Sequence, residues 1–164
     1  MKFCPQCGEE LIEATVAGKK RRKCRSCDFV FWNNPTPVIA AIVEHEGSVV
    51  LIRNKGWPEK LFGLVTGFLE EGETPEEGAL REVKEELGLE GRSVSFVGYY
   101  PFFEMNQIIL AFHILAEGEM VVGEELAEIK RVSPERLKPK PFGTGKALQD
   151  WLRRRGTEAT RPYP

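Results

Sequence analysis

Two periodicities divide the apolar positions of this chain. Within Pro75–Leu87 they fall at Leu80, Val83 and Leu87, one stripe at 100° per residue, with Glu82, Glu85 and Glu86 together on the other side. Thr74 followed by Glu77 forms a capping-box pattern, Pro75 suits a first turn, and Gly88 is a left-handed stop. The pattern therefore predicts a helix over 75–87. β-Branched and apolar runs predict strands over 38–44 and 48–53, joined by a His45-Glu46-Gly47 turn in which His45 is solvated. Further strands are predicted over 61–66, 93–100, 107–116 and 129–132. Ser133 to Leu137 reads as a short helical turn, and Leu148, Trp151 and Leu152 share one face of a closing helix over 144–155. Strands on both sides of a central helix, with a second helix at the end, predict an α/β/α sandwich around a mixed sheet.

The beginning of the chain follows a different pattern. Phe29 to Trp32 ends a strand, and Asn33-Asn34-Pro35-Thr36-Pro37 breaks it. This divides a module at 1–34 from a domain at 35–156, and residues 157–164, polar and proline-bearing, read as a disordered tail. All the cysteines lie in the module, as Cys4-x2-Cys7 and Cys24-x2-Cys27, the spacing of a four-cysteine zinc ribbon. A reducing compartment keeps thiols free, and four thiolates close a tetrahedral Zn²⁺ site. The metal then supplies the folding energy that so short a segment lacks, a structural role. A rubredoxin-like iron site shares the Cys-Pro-x-Cys-Gly knuckle, but nothing else in the chain serves electron transfer. Lys19, Lys20, Arg21, Arg22 and Lys23 follow Gly18, which is placed for a hairpin turn. Such a run can grip phosphates, yet a solvated hairpin is the favoured reading over a nucleic-acid contact.

Composition adds bounds. The chain has 164 residues, 41% of them hydrophobic, and a net charge of −2, which suits one globular domain plus a small module. No global field argues for nucleic acid or membrane. No apolar run approaches the ~20 residues of a transmembrane helix, and MKFCPQCGEE lacks the apolar core and cleavage site of a signal peptide, so a cytosolic protein is expected.

Three neighbouring carboxylates weaken a helix unless something neutralises them. A hard divalent cation with oxygen ligands, Mg²⁺ above all, turns Glu82, Glu85 and Glu86 into a site. Arg81, at the edge of this face, can pair with Glu73 just ahead of the cap. Gly67, Glu73, Arg81-Glu82-Val83, Glu85-Glu86 and Gly88-Leu89 stand at the spacings of the Nudix box, and at every defined position of that box the chain resembles the Nudix hydrolase family. The competing reading is a solvated charged face on an ordinary amphipathic helix. The resemblance implies the Nudix α/β/α fold and metal-dependent cleavage of a nucleoside diphosphate linked to another moiety. It implies Glu82 and Glu86 as the main Mg²⁺ or Mn²⁺ ligands, Glu85 assisting, and the Thr66 carbonyl as a further ligand. Arg81 and Glu73 become the pair that aims the helix. Glu128, in Leu126-Ala127-Glu128-Ile129, resembles the downstream glutamate that serves as base or further ligand, with Glu125 as the second choice.

A ribbon followed by this box resembles the zinc-ribbon FAD and ADP-ribose pyrophosphatases and, more distantly, NADH pyrophosphatase. The second signature of the latter, Ser-Gln-Pro-Trp-Pro-Phe-Pro-x-Ser, is reduced here to Tyr100-Pro101-Phe102-Phe103 in context, without its serines or glutamine. Tyr100, Phe102 and Phe103 are candidates to stack a base or flavin ring, against the alternative that they fill the core. The expected activity is hydrolysis of a dinucleotide such as FAD, ADP-ribose or NADH to monophosphates. Nucleoside triphosphates or capped RNA ends are alternative substrates. A nucleotide-sensing regulator and a nucleic-acid-binding ribbon protein are alternatives of other classes. Nudix resemblance also makes a homodimer a candidate assembly.

Overall fold

The computed structural model describes the backbone of residues 1–159 and the side chains of residues 1–156. The chain divides into two compact units, Met1–Pro35 and Thr36–Pro164. In the first, β1 (Leu11–Val16), β2 (Lys19–Cys24) and β3 (Val30–Phe31) form an antiparallel sheet in that order. Its small core consists of Cys4, Leu11 and Cys24, with Cys27, Phe29 and Phe31 packed against it. That is too little apolar surface to hold three strands by itself.

The second unit is built on a six-stranded mixed sheet. Its strands are β4 (Thr36–His45), β5 (Ser48–Asn54), β6 (Val65–Phe68), β7 (Glu90–Phe102), β8 (Gln107–Glu117) and β9 (Leu126–Val132). The order is β7-β8-β4-β5-β9, with β4 and β8 parallel and β6 added to β4. One edge of β4 is shared. Ala41 and the residues before it pair with β6, whereas Val43 to His45 pair with β5, so the sheet parts between β6 and β5.

Helix α1 (Pro75–Leu87) starts at the Thr74 cap, with both halves of the capping box formed, and stops at Gly88 in the left-handed conformation. Its Ala79, Val83 and Leu87 cover one face of the sheet, on Ile39, Ala41, Val43, Val50 and Ile52. Helix α2 (Gly145–Ala159) covers the other with Ala147, Leu148 and Trp151, on Ala40, Ile42, Val49 and Ile109. Alternate residues of β4 and β5 thus feed two separate cores, as strand geometry requires. The result is the helix–sheet–helix sandwich that the sequence pattern predicts.

Several boundaries differ from the pattern. The strand expected at 61–66 is instead Val65–Phe68, because Phe68 and Gly67 pair with Val38 and Ile39 of β4. His45, expected to be solvated, is buried at the end of β4, its Nε2 3.0 Å from the Gly118 carbonyl oxygen. β9 begins at Leu126, within the stretch read as an acidic connection. α2 continues to Ala159, past the expected end at Arg155, and residues 160–164 of the expected tail lie outside the described residues. No helix among the described residues is long and apolar enough to cross a membrane.

Candidate metal centres and cavity

The cysteine site comes from two turns. Cys4 N–H donates to the Glu9 carbonyl and Gly8 N–H to that of Cys4, closing a loop around Cys7, and Cys24 N–H donates to Phe29. These turns bring Cys4, Cys7, Cys24 and Cys27 together, all Sγ atoms within 4.8 Å of one another. Cys4–Cys27 is 3.6 Å, Cys7–Cys24 3.4 Å and Cys7–Cys27 3.8 Å. A tetrahedral ion with metal–sulfur bonds of ~2.3 Å needs sulfurs ~3.8 Å apart. The four cysteines can therefore hold one metal ion, and the Ser26 N–H pointing at Cys24 Sγ, 3.4 Å away, suits a thiolate there.

The second cluster is carried by α1. Arg81 is its hub. Nε and Nη2 donate to both oxygens of Glu73, at 3.0 and 2.8 Å, and Nη2 also donates to the Phe68 carbonyl. Nη1 reaches Glu82 at 2.7 Å and Glu85 at 3.1 Å. The bond from Arg81, then the Glu70 N–H, holds the Glu73 carboxyl below its ordinary range, so this pair is fixed as ions. It ties the loop after β6 to the helix.

Glu82 and Glu86 are less exposed than a purely solvated acidic face would make them. The Glu82 side chain is 12% exposed and Glu86 is 8% exposed, whereas Glu85 projects into solvent. Burial raises the Glu82 carboxyl above its ordinary range despite Arg81. Burial, followed by repulsion from Glu125, Glu82 and Glu85, raises that of Glu86. Glu86 Oε2 is buried without a hydrogen-bond partner. Arg81 draws Glu82 and Glu85 toward itself, and among the described residues only the cysteines close to within 4.8 Å as a ligand set. The carboxylates form an open cluster that Arg81 neutralises only in part, rather than a closed cage.

Glu128 does not join this cluster. Ile52 pairs with Ile129 and both pack in the α1 core, so the adjacent pair Arg53 and Glu128 turns to the other face of the sheet. There Arg53 donates to Glu128 at 3.1 Å. A bulge opposite Arg53 and Asn54 makes the switch. Glu125, in contrast, lies near enough to Glu86 for its charge to repel that carboxylate. The preceding loop is strapped to the end of α1 by Val121 N–H to the Leu87 carbonyl and Gly123 N–H to the Glu86 carbonyl, each 2.9 Å. A Cβ on Gly123 would press on Glu86 backbone, so only glycine permits this approach.

Thr66 and Gly67 mark the passage from this cluster to the opposite face. Successive strand residues point to opposite sides. Thr66 lines a cavity of about 910 Å³ on the α2 side, whereas Gly67 lies against the Glu82 carboxylate. A Cβ on Gly67 would fall well inside contact distance of that carboxylate. Gly67→Ala is therefore expected to destabilise by ~1–3 kcal/mol and to weaken divalent-metal binding, as read by urea unfolding and a metal titration.

Of the aromatic candidates, only Phe102 lines the cavity. Phe103 is 85% exposed outside it. Tyr100 is buried in the α2 core, its hydroxyl donating to Asp150 Oδ2 at 2.9 Å, and burial followed by that bond pushes its pKa up to about 12. Tyr100 thus docks α2 and does not line the cavity. Tyr100→Phe should cost ~1 kcal/mol of stability with KM unchanged, since one hydrogen bond is lost and no ligand contact. The cavity's other aromatic walls, Trp57, Phe62 and Phe142, were not singled out from sequence, because Phe142 lies far along the chain from the other two.

Residues 33–152 match the family model described as NUDIX domain. The chain is 31% identical over 151 residues to a protein named NAD-capped RNA hydrolase NudC of Vibrio vulnificus, covering 88% of this chain and 56% of that protein. It is 28% identical over 144 residues to the protein of the same name from Pseudomonas putida, covering 87% and 51%. The chain thus spans about half the length of these curated relatives. Among solved structures, a NUDIX hydrolase from Nitrosomonas europaea superposes with a TM-score of 0.78 at 25% identity, over 99% of this chain and 95% of that one.

Proposed function

This chain belongs to the Nudix family, and from that premise we propose that it is a divalent-metal-dependent hydrolase of the diphosphate linkage in a dinucleotide-like compound, such as FAD, ADP-ribose or NADH. The observation that carries the reading is the acid cluster with its orphaned Glu86 oxygen, set one residue from a cavity with aromatic walls. An all-oxygen donor set with excess negative charge fits Mg²⁺ or Mn²⁺. When bound, that cation neutralises the phosphate oxygens and activates water.

In this reading Glu82 and Glu86 hold the cation, Glu85 assists from the exposed side, and the Thr66 carbonyl is a further donor at the cavity's edge. Arg81 and Glu73 keep the ligand helix in register with the loop. Glu125, facing Glu86, is placed to accept the proton of the attacking water, the part the resemblance gave to Glu128. Water oxygen bonds to one phosphorus, the bridging P–O bond breaks, and two monophosphates leave. The cysteine site holds Zn²⁺ in a structural role. The relatives' name supports NAD-capped RNA as a second candidate substrate.

Product analysis with Mg²⁺ or Mn²⁺ across FAD, ADP-ribose, NADH, NAD⁺ and nucleoside triphosphates tests the proposal, with a Glu85→Gln, Glu86→Gln protein as control. Two monophosphates from one dinucleotide, lost in the control, is the expected result. No turnover of any compound, alongside tight binding of one, would replace the hydrolase with a nucleotide sensor.

A further inference from the structure

The cavity beside Thr66 carries more positive charge than a scissile diphosphate requires. Lys60, Lys130, Arg136, Lys138 and Lys140 all line it, and no acidic residue does. Among the described residues none of these five makes an ion pair, whereas Arg53, Arg81, Arg92, Arg131, Arg153 and Arg155 each have a carboxylate partner. These unpaired cations, most of them exposed, stand round one hollow, and an anion seated there relieves their mutual repulsion.

Two of the lysines also lie beside aromatic rings of the wall. Lys130 Nζ lies 5.5 Å from the centre of the Phe62 ring, and Lys140 Nζ 5.9 Å from that of Phe142. Each ammonium thus stands beside an aromatic face while still reaching solvent. A ring that can stack a base, with an ammonium beside it, is complementary to a nucleoside that bears a phosphate. An ammonium suits that partner as a compact point charge. In the function proposed above, the scissile diphosphate binds at the far side of Thr66 and Gly67, where the acid cluster would hold its cation.

Resting on the function proposed above, we propose that the cavity takes a nucleoside carrying a phosphate of its own, additional to the scissile diphosphate. That chemistry has two sources: a phosphomonoester on the ribose of a small dinucleotide, or the first phosphodiester of an RNA chain. Matched pairs separate them. NADP⁺ against NAD⁺ and coenzyme A against dephospho-coenzyme A probe the monoester. A short NAD-capped RNA against NAD⁺ probes the diester. Equilibrium binding is measured with no Mg²⁺ or Mn²⁺ added, and hydrolysis with either.

The phosphate-bearing member of at least one pair should bind about tenfold tighter or more, as charge-assisted contacts to phosphate imply. In a Lys130→Gln, Lys140→Gln protein that ratio should fall toward one, with the circular dichroism spectrum unchanged. Ratios of one in every pair for the wild-type chain, with hydrolysis of the unphosphorylated members intact, would overturn this inference and leave the hydrolase standing. An intact binding ratio without turnover would do the reverse.

Discussion

Glu86→Gln is expected to lower turnover by ~10²–10³-fold while making the metal-free protein more stable. The two effects share one cause. Glu86 is buried, its Oε2 has no partner, and Glu125, Glu82 and Glu85 repel its charge. Because its folded pKa is raised above the unfolded value, the ionised group costs stability at neutral pH. That cost is relieved as pH falls through the raised pKa toward the ordinary carboxylate value. The wild-type chain without divalent metal should therefore gain stability relative to Glu86→Gln between neutral pH and about 4.5, with Glu82 contributing in the same direction. Added Mg²⁺ should reverse the order at pH 7, because only the wild type gains binding energy on folding. Thermal unfolding of both proteins over pH, with and without Mg²⁺, checks each part.

Cys24→Ser is expected to unfold the first unit and leave the second folded. Cys24 is buried in a core of only three residues, and its sulfur is one corner of the set that the turns assemble. Structural zinc in comparable small sites supplies apparent binding energies of ~10–16 kcal/mol, which is also their folding energy. The residues of the cores on α1 and α2 all lie in the second unit. Amide exchange should show protection lost over 1–35 and kept in β4, β5 and β8. Elemental analysis should find one zinc per wild-type chain and none in the variant.

How much of this was legible depended on how local the signal was. The helix Pro75–Leu87 was read to the residue because its cap, capping box and stop lie within or beside it. The cysteine site followed from spacing, since each turn needs only neighbouring residues. The location of the fourth acid was not local. Whether Glu125 or Glu128 meets α1 depends on the bulge in β9 opposite Arg53 and Asn54, and a single extra residue exchanges the faces. β6 was misplaced for a similar reason: Gly67 looks like the start of a loop, but pairing with Ile39 keeps it in the sheet. The cavity was hidden altogether. Trp57, Phe62, Lys130 and Phe142 share no periodicity and meet only once β9 has joined the sheet edge beside β5 and the segment before α2 has packed against it.

The most direct test of the central claim is an electron paramagnetic resonance titration of Mn²⁺ into the zinc-loaded protein. Comparison is made with Glu82→Gln, Glu86→Gln and Glu128→Gln. The account predicts saturable Mn²⁺ binding that is weakened severely by the first two substitutions and little by the third. Equal binding by wild type and Glu86→Gln, or a loss confined to Glu128→Gln, would contradict it and remove the acidic face of α1 as the seat of the chemistry.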